Sequence, residues 1–218
     1  DDLVRTGTVL SYDQIKRELA VREGGQDHRY PLGGSFTLDA FAHPSMTVSQ
    51  LPVGGEVKLL LNPDGSIASI RLTERALYTL LDHTFSTGRL KLKDDQGNTV
   101  SVAYTDRTKL INADGTQGRW QDLTAGERLY LTFSGMDPVQ VERELNLIGQ
   151  VKRIGSSDGT FVVDRLGKEV SFPLGSGIQV SVGDYVRVNR VGAAVTVTKG
   201  AVGRASWIMS MNLTCRFM

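Results

Sequence analysis

The stretch Leu51-Pro-Val-Gly-Gly-Glu-Val-Lys-Leu59 occurs in three related versions, and this recurrence decides the fold. The second version is Leu123-Thr-Ala-Gly-Glu-Arg-Leu-Tyr-Leu131, and the third is Val180-Ser-Val-Gly-Asp-Tyr-Val-Arg-Val188. Each has an apolar residue, two spacers, a glycine, two mostly polar residues, and two apolar residues separated by one position. We call this stretch the anchor. Its glycines are Gly54, Gly126 and Gly183.

The anchor pattern predicts a tight turn that leads into a β-strand. Glycine gives the backbone the conformational freedom that such a turn needs. The alternation that follows is typical of a strand with one buried face. We expect the apolar pairs Val57/Leu59, Leu129/Leu131 and Val186/Val188 to lie on that buried face.

The anchor glycines are spaced by the length of a small domain, which indicates a tandem array. The predicted repeats cover residues 1–74, 75–144 and 145–200, and a strand-forming tail covers 201–218. Short strand patterns separated by glycine turns, such as Glu23-Gly-Gly-Gln-Asp27, occur in each repeat. The sequence therefore predicts an all-β protein of three tandem small antiparallel β-barrel-like units plus a C-terminal strand. The alternative is one longer sandwich that all three repeats share.

Charge and hydropathy exclude several classes of partner. The formal net charge is +1, which gives no long-range field toward nucleic acid or anionic lipid. No apolar run approaches the length of a membrane helix, and the start at Asp1 lacks a signal segment. The sequence predicts no nucleic-acid partner and no membrane span. For an exported protein, the signal peptide is expected to have been removed.

Residues with catalytic or metal-binding chemistry do not form a recognisable motif. His28, His43 and His83 show no ligand spacing with one another or with Cys215, the one cysteine. Nucleophile, phosphate-loop and zinc-protease motifs are missing. Asp94-Asp-Gln-Gly-Asn98 and Asn62-Pro-Asp-Gly-Ser66 are candidates for a loose calcium site, but both are better explained as turns. The sequence therefore predicts a non-enzymatic protein without a cofactor.

The tail differs in composition from the repeats. Apolar residues alternate with Ser210, Asn212, Thr214 and Arg216, which predicts a half-buried strand. Backbone ordering costs roughly 1–2 kcal/mol per residue, while burying one large apolar side chain returns about 1.5–3 kcal/mol. Because these terms nearly cancel, we expect the tail also to hydrogen-bond along a sheet edge, in its own chain or a neighbour's. A cloning or frameshift origin is a third interpretation. The apolar positions are Trp207, Met209, Met211, Leu213, Cys215 and Phe217.

The whole repeat resembles a known class of module. A Gly-x-Val strand (Thr6-Gly-Thr-Val9), a glycine-turn hairpin, an Asp-x-Thr element (Asp106 to Leu110) and the anchor follow one another. This order resembles the small β-barrel repeats of bacterial surface proteins, which often accompany S-layer homology domains in Gram-positive cell-envelope proteins. The resemblance covers Thr6 to Thr198, and the Asp-x-Thr element is clear only in the second repeat. It implies an exported, non-catalytic structural module at the cell surface. No S-layer homology domain is visible, so wall anchoring is not implied.

Two functions follow as hypotheses. The first is a subunit of an extracellular assembly, an S-layer or a surface filament, that self-associates with identical subunits. The second is a binding module for wall polysaccharide or another envelope ligand, which would use the loops Gly33 to Gln50 and Asn112 to Asp122. A sugar-stacking platform of Trp120, Tyr104 and Tyr130, with Arg119 and Arg128 nearby, would serve that second function; the commoner explanation of these aromatics is a place in the core or at its rim.

Overall fold

A computed structural model of the chain describes residues 3–155 and 159–200. The predicted tail strand, Trp207 to Phe217, lies outside the described residues. The all-β class is confirmed, because fourteen strands and three short 3-10 helices account for the regular structure described. Among these residues, no helix is both long enough and apolar enough to cross a membrane. The strands are β1 (Val4–Asp13), β2 (Glu18–Glu23), β3 (Gln26–Asp39), β4 (Glu56–Leu61), β5 (Ile67–Thr84), β6 (Arg89–Lys93), β7 (Thr99–Ala103), β8 (Lys109–Ile111), β9 (Arg128–Ser134), β10 (Asp137–Gly155), β11 (Thr160–Arg165), β12 (Lys168–Pro173), β13 (Tyr185–Val191) and β14 (Ala194–Lys199).

The first repeat forms a closed ring of five strands. β1 pairs with β2 and β4, β2 pairs with β3, and β5 pairs with both β3 and β4. The β3–β5 pairing is parallel and the others are antiparallel. A ring with an odd number of strands cannot alternate direction throughout, so one parallel pair is unavoidable. The sequence predicted only antiparallel pairing here, and the structure corrects this.

The second and third repeats contain most of the same pairings. β5 pairs with β6 and β9, and β6 pairs with β7. In the third repeat, β10 pairs with β11 and β13, β11 with β12, and β13 with β14. In the part of the chain that the structure describes, β7 pairs only with β6 and β12 only with β11. The second repeat has a pairing between β8 and β10 at the place of the β3–β5 pair that closes the first ring.

Two strands are longer than the sequence predicted. The sequence predicts a repeat border between residues 74 and 75, and so a break between two strands there. The structure has one strand, β5, because residues Thr73 to Ala76 pair continuously with β9. β10 likewise continues across the next border, with Glu144 to Gln150 paired to β13. Each of these strands ends one repeat and begins the next.

The hydrophobic residues form three clusters rather than the one continuous core that a sandwich would need. All six apolar anchor residues named above are buried. The chain divides by its contacts into two compact units, residues up to 110 with 117–142, and residues 111–116 with those from 143 onward. The first unit holds two of the clusters. The fully buried residues at their centres are Leu19, Val21, Val57, Leu59, Ile67 and Ile70 in the first, Leu80, Leu90, Leu92, Leu129, Leu131 and Val141 in the second, and Val151, Phe161, Val163 and Val188 in the third.

Candidate functional site

The three anchor turns have nearly the same geometry. The φ angles of Gly54, Gly126 and Gly183 are +82°, +91° and +94°, in the left-handed region that favours glycine. In the first repeat, the amide of Gly54 donates to the carbonyl of Val9 (2.8 Å), and the amide of Val9 donates to the carbonyl of Gly55 (2.8 Å). The same reciprocal pair joins the second and third anchors to Leu80 and Val151. The anchor therefore fixes the first strand of its own repeat.

In every repeat, the first-strand residue that hydrogen-bonds to the anchor is followed by a break in strand register. The shifts lie between Val9 and Ser11, between Leu80 and Asp82, and between Val151 and Arg153. A bulge of this kind bends a strand and increases its twist. These shared features define equivalent positions in the repeats, with Val9, Leu80 and Val151 at one of them.

The Gly-x-Val motif has a steric cause. A Cβ on Gly7 would lie 2.6 Å from the carbonyl oxygen of Arg22, and a Cβ on Gly149 would lie 2.3 Å from that of Asp164. Contacts below 3.0 Å are essentially never made by a real Cβ. The first strand thus approaches its neighbour too closely for a side chain. The second repeat differs, since Tyr78 is at this position and is buried in the second cluster.

The first and second repeats pack directly on each other inside the first compact unit. Phe41, from the connection after β3, stacks on Phe133 of β9 with ring centroids 3.9 Å apart and planes 4° from parallel. Gly135, in the turn between β9 and β10, is so close to the first repeat that a Cβ would lie 2.9 Å from the Cβ of Asp39. This contact and the uninterrupted β5 leave no linker between the two repeats.

Ion pairs surround that contact. The Arg71 guanidinium donates to Asp137 (2.9 Å). The Glu74 side chain, which is 9% exposed, accepts from the Ala42 amide (2.8 Å) and contacts Nδ1 of His43 (2.6 Å). Exposed pairs of this kind contribute little to stability singly, about 0–1 kcal/mol each. The Arg71–Asp137 pair joins the two repeats, whereas the contacts of Glu74 with Ala42 and His43 lie within the first repeat.

The loop at residues 111–116 makes a similar contact within the second compact unit. Asn112 Oδ1 accepts from Arg143 (3.2 Å), and the Asp114 carbonyl accepts from Arg190 (3.1 Å). Gly115 lies beside Gly192, the turn glycine between β13 and β14. Gly192 follows the third anchor as Gly135 follows the second. Both candidate binding loops of the sequence, Gly33–Gln50 and Asn112–Asp122, therefore contain segments that pack on the repeat that follows.

The aromatic residues of the second repeat are only partly where the sequence placed them. Tyr104 and Trp120 stack face to face, with centroids 3.7 Å apart, and both pack on the second cluster. His83 Nε2 contacts the Tyr104 hydroxyl (2.8 Å), and Phe85 lies edge-on to His83 with 61% of its surface exposed. Burial raises the pKa of Tyr104 and lowers that of His83. We call Phe85, His83, Tyr104 and Trp120 the aromatic cluster.

Tyr130 does not join the aromatic cluster. Its ring lies under the guanidinium of Arg75, with Cζ 4.2 Å from the ring centroid, and Arg75 also donates to Glu142 (2.9 Å). Because the Tyr130 ring pairs with Arg75 while Tyr104 and Trp120 stack on each other, the three residues do not form the sugar-stacking platform that was one interpretation of the sequence.

The first repeat has a cleft at the place that corresponds to the aromatic cluster. It measures about 270 Å³ and lies between the end of β1 and the 3-10 helix Val48–Gln50. Counted from the shared anchor and register break, Tyr12, Gln14 and Val48 occupy the positions of His83, Phe85 and Trp120. Sequence reasoning missed this cleft, because it depends on side-chain volumes at positions far apart in the chain.

The acidic turns have the internal hydrogen bonds expected of turns. Asp64 Oδ1 accepts from the Ser66 amide (2.9 Å) and hydroxyl (2.6 Å), and this bonding lowers the pKa of the Asp64 carboxyl. Asp114 and Thr116 repeat the arrangement at the same distances. Within residues 3–155 and 159–200, no group of three or more His, Cys, Asp or Glu side chains could hold a metal ion.

Comparisons with known proteins add no family to this description. The chain matches no protein-family model, and a search of curated proteins found no similar sequence.

Proposed function

We propose that the protein is a non-catalytic structural subunit of an extracellular bacterial assembly, an S-layer or a surface filament. The extracellular setting follows from the resemblance of its repeats to bacterial surface modules. The proposal for a structural role follows from the way in which successive repeats are joined.

The junction between the first and second repeats carries this proposal. Domains joined by flexible linkers move relative to each other by default. Here β5 belongs to both repeats, and the Phe41–Phe133 stack and the Arg71–Asp137 pair hold them side by side. A surface lattice or filament needs subunits whose parts keep fixed spacing under load, and a junction without a linker provides this.

Self-association is the second part of the proposal. Unpaired strand edges promote addition of a further strand. In the described residues, β12 and β14 each have a single pairing partner, so each presents one free edge. We propose that the tail strand, with its apolar residues at alternate positions, pairs with such an edge, in a neighbouring subunit where the protein polymerises.

Deleting Ala205 to Met218 tests the role of the tail. We expect folded monomers that no longer form large particles, measured by circular dichroism and light scattering. Unchanged particle size would contradict the proposal. Leu213→Asp should have the effect of the deletion because it places a charge on the apolar face, while the matched control Asn212→Asp should assemble normally. Electron microscopy of the native particle would then show the symmetry of the assembly.

A second candidate function, binding of envelope polysaccharide, is favoured by one observation. The first repeat has an open cleft with polar and apolar walls, whereas Tyr104, Trp120 and Tyr130 of the second repeat do not form one aromatic platform.

A further inference from the structure

The cleft of the first repeat has an apolar floor and a polar rim. Val9, Val48 and Leu51 are buried and form its floor. The half-buried ring of Tyr12 forms one wall, and the exposed side chains of Gln14 and Ser49 lie at the rim. Ser49 is held by a contact between its hydroxyl and that of Thr47 (3.0 Å).

The cleft is not a general consequence of the fold. The second repeat shares the anchor turn, the reciprocal hydrogen bonds and the register break. At the corresponding place, the indole of Trp120 and the ring of Tyr104 stack against each other and against the second cluster. The cavity of the first repeat therefore results from its own residues, chiefly Val48 in place of a tryptophan.

The lining selects a class of ligand. All of the residues that line the cleft have uncharged side chains, so a phosphate or carboxylate would find no counter-charge there. A pyranose ring has an apolar C–H face and hydroxyl groups around its edge. The C–H face of the sugar matches the Tyr12 ring and the apolar floor. The hydroxyl groups can donate hydrogen bonds to Gln14 and Ser49 or accept them. The volume is just below the usual range for small-molecule sites, which suits one ring rather than a long segment.

We propose that this cleft binds a single neutral pyranose residue of a glycan. The inference rests on the second candidate function, since it gives polysaccharide binding a site and a ligand class. It is independent of the structural role of the junction.

Amide NMR of the full chain, titrated with glucose and N-acetylglucosamine, tests the proposal directly. We expect saturable shifts at Tyr12, Gln14 and the segment Val48–Leu51, and none with inorganic phosphate or glucuronic acid. Saturable shifts elsewhere on the chain would show that the cleft is not the binding site, but they would still support polysaccharide binding by the protein. Shifts that do not saturate, or no shifts, would overturn both.

Two variants then locate the binding. Val48→Trp copies the second repeat and should reduce affinity for the sugar by about tenfold or more, because the indole fills the cleft. Gln14→Ala keeps the cleft open and should weaken binding through loss of rim hydrogen bonds, which keeps the test valid if Val48→Trp does not fold. Gln121→Ala, the same change at an exposed position beside Trp120, is the matched control. Equal affinity in Gln14→Ala and wild type, together with undiminished binding by folded Val48→Trp, would contradict the proposal.

Discussion

The first and second repeats have the same anchor turn at one end, but the space beside that turn is open in the first repeat and filled by side chains in the second. In both, an anchor glycine hydrogen-bonds to the first strand immediately before a register break. In the first repeat Val48 leaves a cleft, while in the second Trp120 and its aromatic neighbours occupy the space. The anchor therefore defines the architecture of both repeats, and side-chain volume at a few positions decides whether this end of a repeat holds a cavity or packed aromatic rings.

The largest loss of stability should come from removing the tryptophan of the aromatic cluster. Trp120→Ala deletes a ring that packs on the second cluster and on Tyr104, and we expect it to lower the free energy of unfolding by about 3 kcal/mol. Urea denaturation measures this. Phe85→Ala is the control, since its ring is mainly exposed, and should stay within about 0.5 kcal/mol of wild type. Equal costs would mean that the aromatic cluster is not packed.

The close strand approach in the first repeat gives the next prediction. Gly7→Ala should destabilise the protein by about 1–3 kcal/mol, because the new methyl group would collide with the Arg22 carbonyl. Gly34→Ala is the matched control, since no atom lies within 4 Å of its added Cβ. Thermal unfolding of the two variants distinguishes them. A tolerated Gly7→Ala would show that the first strand can relax toward the geometry of the second repeat.

Substitution of the anchor glycines tests whether the anchor turns of the repeats are equivalent. Alanine at Gly54 or Gly126 meets no atom within 4 Å, so only the positive φ is strained. We expect both variants to lose a similar amount, about 1–2 kcal/mol, by urea denaturation. Markedly different losses in the two repeats would break the equivalence on which the comparison rests.

The smallest expected effect is on the pH dependence of stability, through His83 of the aromatic cluster. Burial lowers the pKa of His83, with Asp82 opposing the shift in part. The unfolded chain therefore takes up a proton at higher pH than the folded chain, and stability falls as pH drops through about 6.5, the usual histidine value. His83→Phe should reduce this slope between pH 7 and 5, measured by unfolding at each pH. The first repeat has Tyr12, not a histidine, at this position.

Local pattern was enough to predict the strands and the pairing of neighbouring strands in hairpins, but not the pairings of residues far apart in the chain. Alternation at Val57/Leu59 and its counterparts identified the buried faces, because a strand's period of two residues is visible in sequence. The parallel β3–β5 pair and the Phe41–Phe133 stack join residues far apart in the chain, and no local signal marks them. The continuity of β5 was missed because Thr73 to Ala76 lack alternation, although they are paired to β9.

The shared strand has a consequence for folding. Ile70 and Leu72 lie in the first cluster and Tyr78 and Leu80 in the second, all on β5. If one cluster loses its order, β5 loses packing contacts that also hold it in the other cluster. The two clusters should therefore exchange their amide hydrogens as one cooperative unit. A cut at Glu74, where the sequence suggests a border, would divide a single strand. We therefore expect that the first repeat does not fold when it is separated from the second at this point.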